Sequence, residues 1–209
     1  AAAIGARLPI EEPHGTMIVD LGGGTTEIAV ISLNGIVTWK SLQLASQDLN
    51  NDIIQFARHE FNILLGENMA EHTKLKIGST SILQESLDLK VRGRNLITGL
   101  PKEVSINDGQ VRQAFSRSIE IIIENIKATL EITPPELVAD IYQRGITLTG
   151  AGALLRGVDK TFSEAMSIPV QIADDPLTCV VRGTGIILED IEAMSQIILP
   201  STQQEAIIR

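Results

Sequence analysis

The chain has 209 residues, 44% hydrophobic but only 3% aromatic, so it can bury an aliphatic core in one large or two small domains. Its 17 basic and 26 acidic residues leave a net charge of −9 without a basic run, which excludes the phosphate-dominated mode of nucleic-acid binding. A single cysteine excludes an internal disulfide and a cysteine metal cage, and no apolar run approaches the ~20 residues of a membrane span. Cys179 is flanked by apolar residues and reads as a buried structural thiol in a reducing cytosol. His14, His59 and His72 match no metal spacing. No signal peptide is visible and the chain does not begin with Met. Ala1 to Pro9 reads as the tail of a helix ending at Gly5 and Pro9, the expectation for a piece cut from a larger protein.

Met17, Ile18 and Val19 form a short apolar run that predicts a buried strand, with Asp20 at its end. Gly22, Gly23 and Gly24 follow, then the hydroxyls of Thr25 and Thr26. Ile28 to Ile31 predicts a second strand. Asn34-Gly35 is a two-residue hairpin signal, because both central positions of such a turn need positive φ. A third strand is expected over residues 36–44. The glycines thus form one hairpin tip of a meander. Three glycines let backbone approach a ligand and align N–H groups into an anion nest. A carboxylate beside a nest repels phosphate unless a divalent cation or its waters lie between them. Asp20, the glycines and the threonines therefore read as a site for phosphate and Mg²⁺. The loop joins two strands, so it is neither a Walker A loop nor a Rossmann fingerprint.

Residues 48–65 carry Ile53, Ile54, Ala57, Phe61, Leu64 and Leu65 at helical spacing, with Gly66 as the expected stop. A shorter helix is expected over 70–77, ended by Gly78. Ser86 to Arg92 alternates as a half-exposed strand, and a second strand follows around Val104 and Ile106. Asn107, with Gln110 three residues on, has the spacing of a capping box for a long helix. Its apolar stripe is Val111, Phe115, Ile119, Ile122, Ile126 and Leu130, and Pro134-Pro135 end it. Then come a helix over 135–144, a strand over 146–149, and Gly150-Ala151-Gly152 at that strand's carboxyl end. A helix is expected over 153–166, a strand over 170–173, and a helix from Asp174-Asp175-Pro176 that carries Cys179 and residues 186–194. This order is an α/β layer. The glycine loop opening onto a helix N-terminus is a second candidate phosphate site. From Pro200 the tail is polar.

DLGGGTTE (20–27) resembles the second phosphate loop of the actin, Hsp70 and sugar-kinase superfamily. VRGRNLITGLP (91–101), PPELVADI (134–141), LTGAGALLRGVD (148–159) and DDPLTCVVRGTG (174–185) resemble the MreB/Mbl family of bacterial actin homologues, over residues 1 to about 192. The resemblance implies the second half of an actin-like, ribonuclease H-like ATPase fold of the α/β class, with an inserted α+β subdomain. Residues 1–16 would end the preceding subdomain and form a hinge. Residues 17–45 plus 133–195 would be the nucleotide-cradling subdomain. Residues 46–132 would be the inserted outer subdomain and a connecting long helix, and 196–209 a tail.

The resemblance also implies ATP and Mg²⁺ as cofactors. Asp20 would hold Mg²⁺ through water. Gly22, Gly23, Gly24 and Thr25 would hold the β- and γ-phosphates. Glu27 occupies the place of a residue near the attacking water. Glu71 and Lys74, on one helix face, match a pair that contacts ribose and adenine; from spacing alone they read as a surface ion pair. Gly150, Ala151, Gly152 and Ala153 match a glycine loop beside the nucleotide. Two departures stand out. Ala151 replaces the middle glycine, and Ala45-Ser46-Gln47 stands where the family has Gly-Gly-Asp. The implied function is ATP-dependent polymerisation into filaments in the cytoplasm, at the inner face of the cell membrane. Such filaments act with the cell-wall elongation machinery to set cell shape, the membrane being met through elements outside this chain. Two alternatives remain: a nucleotide-binding scaffold without significant ATPase activity, and an Hsp70-type chaperone ATPase. The latter should carry a Gly-Gly-Glu-Asp-Phe run after the meander, which this sequence lacks.

Overall fold

The computed structural model describes residues 1–189 and 191. Among these residues a five-stranded sheet has the order β3-β2-β1-β7-β8. The run around Met17–Val19 extends into β1 (Thr16–Leu21), which pairs antiparallel with β2 (Thr26–Ser32). β2 pairs in turn with β3 (Gly35–Leu42). On its other side β1 pairs in parallel with β7 (Ile146–Thr149), and β7 with β8 (Val170–Ile172). Asp20 pairs across to Glu27 on one side and Thr149 on the other, so the two glycine loops leave the same end of the sheet. A second, three-stranded sheet comprises β4 (Ile63–Leu64), β5 (Asp88–Asn95) and β6 (Pro101–Asn107).

Helices α2 (Ser46–Phe61) and α4 (Asp108–Glu131) carry the chain between the sheets, and α3 (Glu67–Ile77) joins β4 to β5 within the second. The stripe of α4 is buried as its period requires, with Phe115 at 1% and Ile126 at 0% exposure. Its capping box is formed: Gln110 N–H donates to Asn107 Oδ1 at 2.9 Å, and Asn107 N–H to Gln110 Oε1 at 3.0 Å. Asp108 in the first turn accepts from Leu87 N–H and Ser86 Oγ, and these bonds hold its carboxyl below the usual range. A short helix, α1 (Ala2–Gly5), crosses α7 (Cys179–Glu189) at Gly5 and Gly183, where any Cβ would strike the opposite backbone. In chain order α5 (Pro135–Arg144) and α6 (Val158–Met166) fall between α4 and α7. Cys179 is buried, as expected.

Several boundaries differ from the sequence reading. The expected 48–65 helix stops at Phe61, where Asn62 takes φ +54°. Ile63 and Leu64 instead pair with Asn95 and Arg94, which buries Ile63 completely. Gly66 is consequently the N-cap of α3 rather than a stop. The hairpin turn is centred on Leu33-Asn34, at φ +49° and +61°, and Gly35 already belongs to β3. Both turn residues donate N–H groups to the preceding segment, Leu33 to Glu12 O and Asn34 to Ile10 O, which pins the turn one residue early. The 153–166 helix is broken. A 3₁₀ turn spans Ala151–Leu154, Arg156 bridges to Ser79, and α6 restarts after Gly157 at φ +75°. The last helix starts at Cys179 rather than at Asp174. Beyond residue 191, its expected continuation to 194 and the tail from 196 lie outside the described residues.

Candidate functional site

The glycine loop is shaped by what its carbonyls do. Gly22 N–H closes the tip on Thr25 O at 3.0 Å. Gly22 O and Gly23 O then accept from the first N–H groups of α2, Ser46 at 3.2 Å and Gln47 at 2.9 Å. These contacts satisfy donors that a helix start leaves orphaned. In a trans peptide the N–H points opposite to the C=O. The N–H groups of Gly23 and Gly24 are therefore turned away from α2, and neither has an acceptor among the described residues. The two threonines divide. Thr26 is buried and its hydroxyl donates to Leu44 O at 2.7 Å, so it is not a donor to a ligand. Thr25 is exposed, and its hydroxyl has no partner among the described residues.

Asp20 is half-buried at the base of this nest, and its carboxylate accepts no hydrogen bond among the described residues. Burial raises its pKa above the ordinary carboxylate range, and the neighbouring Glu27 carboxylate raises it further. Glu27 is itself oriented by Ser41 Oγ, which donates to Oε1 at 2.7 Å. Gly150 packs against Asp20 from the other loop. Its φ of +83° and the closeness of Asp20 Oδ1 and the Leu21 carbonyl leave no space for a Cβ. Gly152 sits as close to Leu21, whereas Ala151 is exposed and adopts a helical turn that accommodates its methyl. Ala153 is fully buried in the core and does not line the cavity described next.

A cavity of about 320 Å³ lies between α2, α3 and the second glycine loop, and reaches the first loop only through Ser46, whose N–H bonds the Gly22 carbonyl. Its walls bring together Ser46, Glu71, Lys74, Ala151, Gly152 and Arg156. Glu71 and Lys74 are more than a surface pair. The Lys74 side chain is 6% exposed and its Nζ lies 2.9 Å from Glu71 Oε2. That same oxygen accepts from Asn50 Nδ2 at 2.7 Å. The hydrogen bond from Lys74, seconded by Asn50, holds the Glu71 carboxyl below its usual range. Arg156 reaches back to cap α3, donating to Leu75 O and Gly78 O. Ser46, Asn50 and Arg156 escaped the sequence reading. Asn50 and Arg156 follow no motif spacing, and Ser46 was visible only as a departure from Gly-Gly-Asp.

This donor set fits a magnesium nucleotide. Uncommitted amides suit phosphate oxygens, and an unpartnered carboxylate with a raised pKa suits a cation. Among the described residues no group of three His, Cys, Asp or Glu could hold a metal directly. Hydrated Mg²⁺ needs only one or two carboxylates together with phosphate.

A family model described as "MreB/Mbl protein" matches residues 1–196. The chain belongs to the MreB/Mbl family. It is 46% identical over 192 residues to the cell shape-determining protein MreB of Escherichia coli, covering 92% of this chain and 55% of that protein. To the cell shape-determining protein Mbl of Bacillus cereus it is 42% identical over 193 residues, covering 92% and 58%. The chain thus spans little more than half the length of these MreB and Mbl relatives. Among solved structures, MreB 5 of Spiroplasma citri bound to AMPPNP superposes with a TM-score of 0.89 at 40% identity, over 92% of this chain and 58% of that one. The actin-like fold expected from DLGGGTTE is therefore the fold of this MreB/Mbl chain. No helix among the described residues is long and apolar enough to cross a membrane.

Proposed function

We propose that this chain is the second half of an MreB/Mbl-type ATPase that binds MgATP in a cleft between two halves. The whole protein polymerises into filaments at the inner face of the cell membrane and, with the cell-wall elongation machinery, guides wall synthesis and cell shape. Residues 17–45 and 133–195 cradle the nucleotide, and residues 46–132 form the inserted outer part. The observation that carries the reading is the pair of uncommitted N–H groups at Gly23 and Gly24, which follow an unpartnered Asp20 in a loop whose Gly22 carbonyl is bonded by Ser46 of the Glu71–Lys74 cavity. The nucleotide-bound relative from Spiroplasma citri supports it.

Mg²⁺, when bound, would supply charge neutralisation to the nucleotide's phosphates. Asp20 would hold it through water. The Gly23 and Gly24 amides and the Thr25 hydroxyl steady the phosphate oxygens. Glu27, held by Ser41, would stand near the attacking water. Glu71 offers its free oxygen to the ribose, and the Gly150–Gly152 turn forms the opposite wall. Rate enhancement then comes from positioning and electrostatics rather than covalent chemistry.

The test uses the full-length protein. Asp20→Ala should lower MgATP affinity or turnover tenfold or more, since a charge-assisted contact is worth ~1.5–3 kcal/mol. Unchanged turnover would remove the Mg²⁺ role. Phosphate release during filament assembly separates an ATPase from a nucleotide-binding scaffold.

A further inference from the structure

We propose that Ser46 is a positioning residue that ties the glycine loop to the Glu71–Lys74 pair, so that the phosphate loop and the sugar-binding wall of the cavity are held in one register. The proposal rests on the nucleotide reading above. Ser46 meets the two ends with different atoms. Its N–H donates to Gly22 O at 3.2 Å. Its carbonyl oxygen and its hydroxyl accept from Lys74 Nζ at 2.9 and 2.6 Å. Lys74 gives its remaining N–H to Glu71 Oε2 at 2.9 Å. An ammonium has three donors. Lys74 is therefore saturated by protein alone and only 5% exposed, so it is not the group that first meets a ligand.

Two consequences follow. The exposed member of the pair is Glu71, whose Oε1 has no hydrogen-bond donor among the described residues, while Oε2 is held by Lys74 and Asn50. Lys74 thus orients Glu71, and Ser46 orients Lys74. Second, the ammonium engages Ser46 Oγ as an acceptor, which leaves the hydroxyl's own proton uncommitted in a residue that lines the cavity. A hydroxyl polarised by an adjacent cation is a stronger donor. Asn50 stands one turn along α2 and holds Glu71 from the same helix; its Oδ1 is buried with no hydrogen-bond partner among the described residues. A glycine at position 46, which the family resemblance expects, would keep the two backbone contacts and lose the hydroxyl.

Ser46→Gly and Ser46→Ala both delete the hydroxyl, and Ser46→Thr keeps it. Two measurements on the full-length protein decide the matter. One is the rate of Lys74 acetylation by N-hydroxysuccinimidyl acetate without nucleotide, read by peptide mass spectrometry. The other is MgATP affinity by calorimetry. Losing a hydrogen bond to a charged group should speed acetylation and weaken MgATP binding on the order of tenfold each in the Gly and Ala variants. The Ser46→Thr variant should match wild type in both. Equal acetylation rates in wild type and both hydroxyl-deleted variants would overturn the tie. Faster acetylation with unchanged affinity would overturn its role in the site. A wild-type protein that binds no MgATP would instead refute the nucleotide reading, and the acetylation difference, read without nucleotide, would still report the tie.

Discussion

Gly150→Ala is the sharpest test of how the two loops are joined. Gly150 has φ +83° and ψ 174°, a region essentially reserved for glycine. Holding alanine there costs about 1–3 kcal/mol. The added methyl would also lie 2.5 Å from the Leu21 carbonyl oxygen and collide with Asp20 Oδ1. Neither neighbour yields easily. Leu21 is paired in β1, and Gly150 N–H is anchored on Pro176 O at 3.0 Å. Overpacking of this kind adds about 1–3 kcal/mol. The sum is roughly 2–6 kcal/mol, which for a chain of this size lowers the melting temperature by roughly 4–24 °C. Asp20 must also shift, so MgATP affinity of the full-length protein should fall with it. The matched control is Ala151→Gly. Its methyl is exposed on a helical turn, so only about 1 kcal/mol of backbone entropy is at stake. Affinity there should hold or tighten. The assay is thermal unfolding followed by circular dichroism, with calorimetry for MgATP. A Gly150→Ala protein that melts within about 2 °C of wild type would refute the close packing of the two loops.

Asp20→Asn should stabilise the nucleotide-free protein while weakening its binding of MgATP. The folded state holds the Asp20 proton more tightly than the unfolded chain does, so ionisation at this site opposes folding. The gain in melting temperature should therefore be absent below pH about 4, grow as pH rises through the raised folded pKa, and persist above it; a gain that does not depend on pH would contradict the cause assigned. The Glu71 carboxyl has the opposite sign, because its folded pKa is lowered by Lys74 and Asn50. Its contribution is present above the ordinary glutamate pKa and is lost as pH falls through the folded value, a loss that Glu71→Gln should abolish in melting curves taken across that range. Residues 1–209 alone should fold, yet calorimetry should detect no micromolar MgATP binding. Two or three missing phosphate hydrogen bonds at ~1.5–3 kcal/mol each remove roughly 3–9 kcal/mol. Micromolar binding by this chain alone would point to a self-contained site.

Local rules alone determined much of this protein. The period of α4, the Asn107–Gln110 capping box and the stop at Gly78 each depend on residues within a few positions of one another. The strand–glycine–strand order around Asp20 is equally local, and with it the candidate phosphate site and the superfamily resemblance were legible. Other features are set by partners distant in sequence. Ile63 is a strand residue because β5, some thirty residues on, offers a hydrogen-bonding edge and a buried place; apolar spacing cannot tell that from one more helical turn. The break before α6 is set by Arg156 bridging to Ser79, and the shifted hairpin by the carbonyls of Ile10 and Glu12. Thr25 and Thr26 are alike in sequence, yet the Leu44 carbonyl takes one hydroxyl and leaves the other free. Lys74 looked like half of a surface pair until Ser46, 28 residues away, occupied two of its three donors. Gly150 was legible as part of a candidate phosphate loop, but its close packing on the Asp20 carboxylate exists only because β1 pairs beside β7. A hydrogen bond or a steric contact is decided within a few ångströms of space, and only the folded chain determines which distant residues come that close.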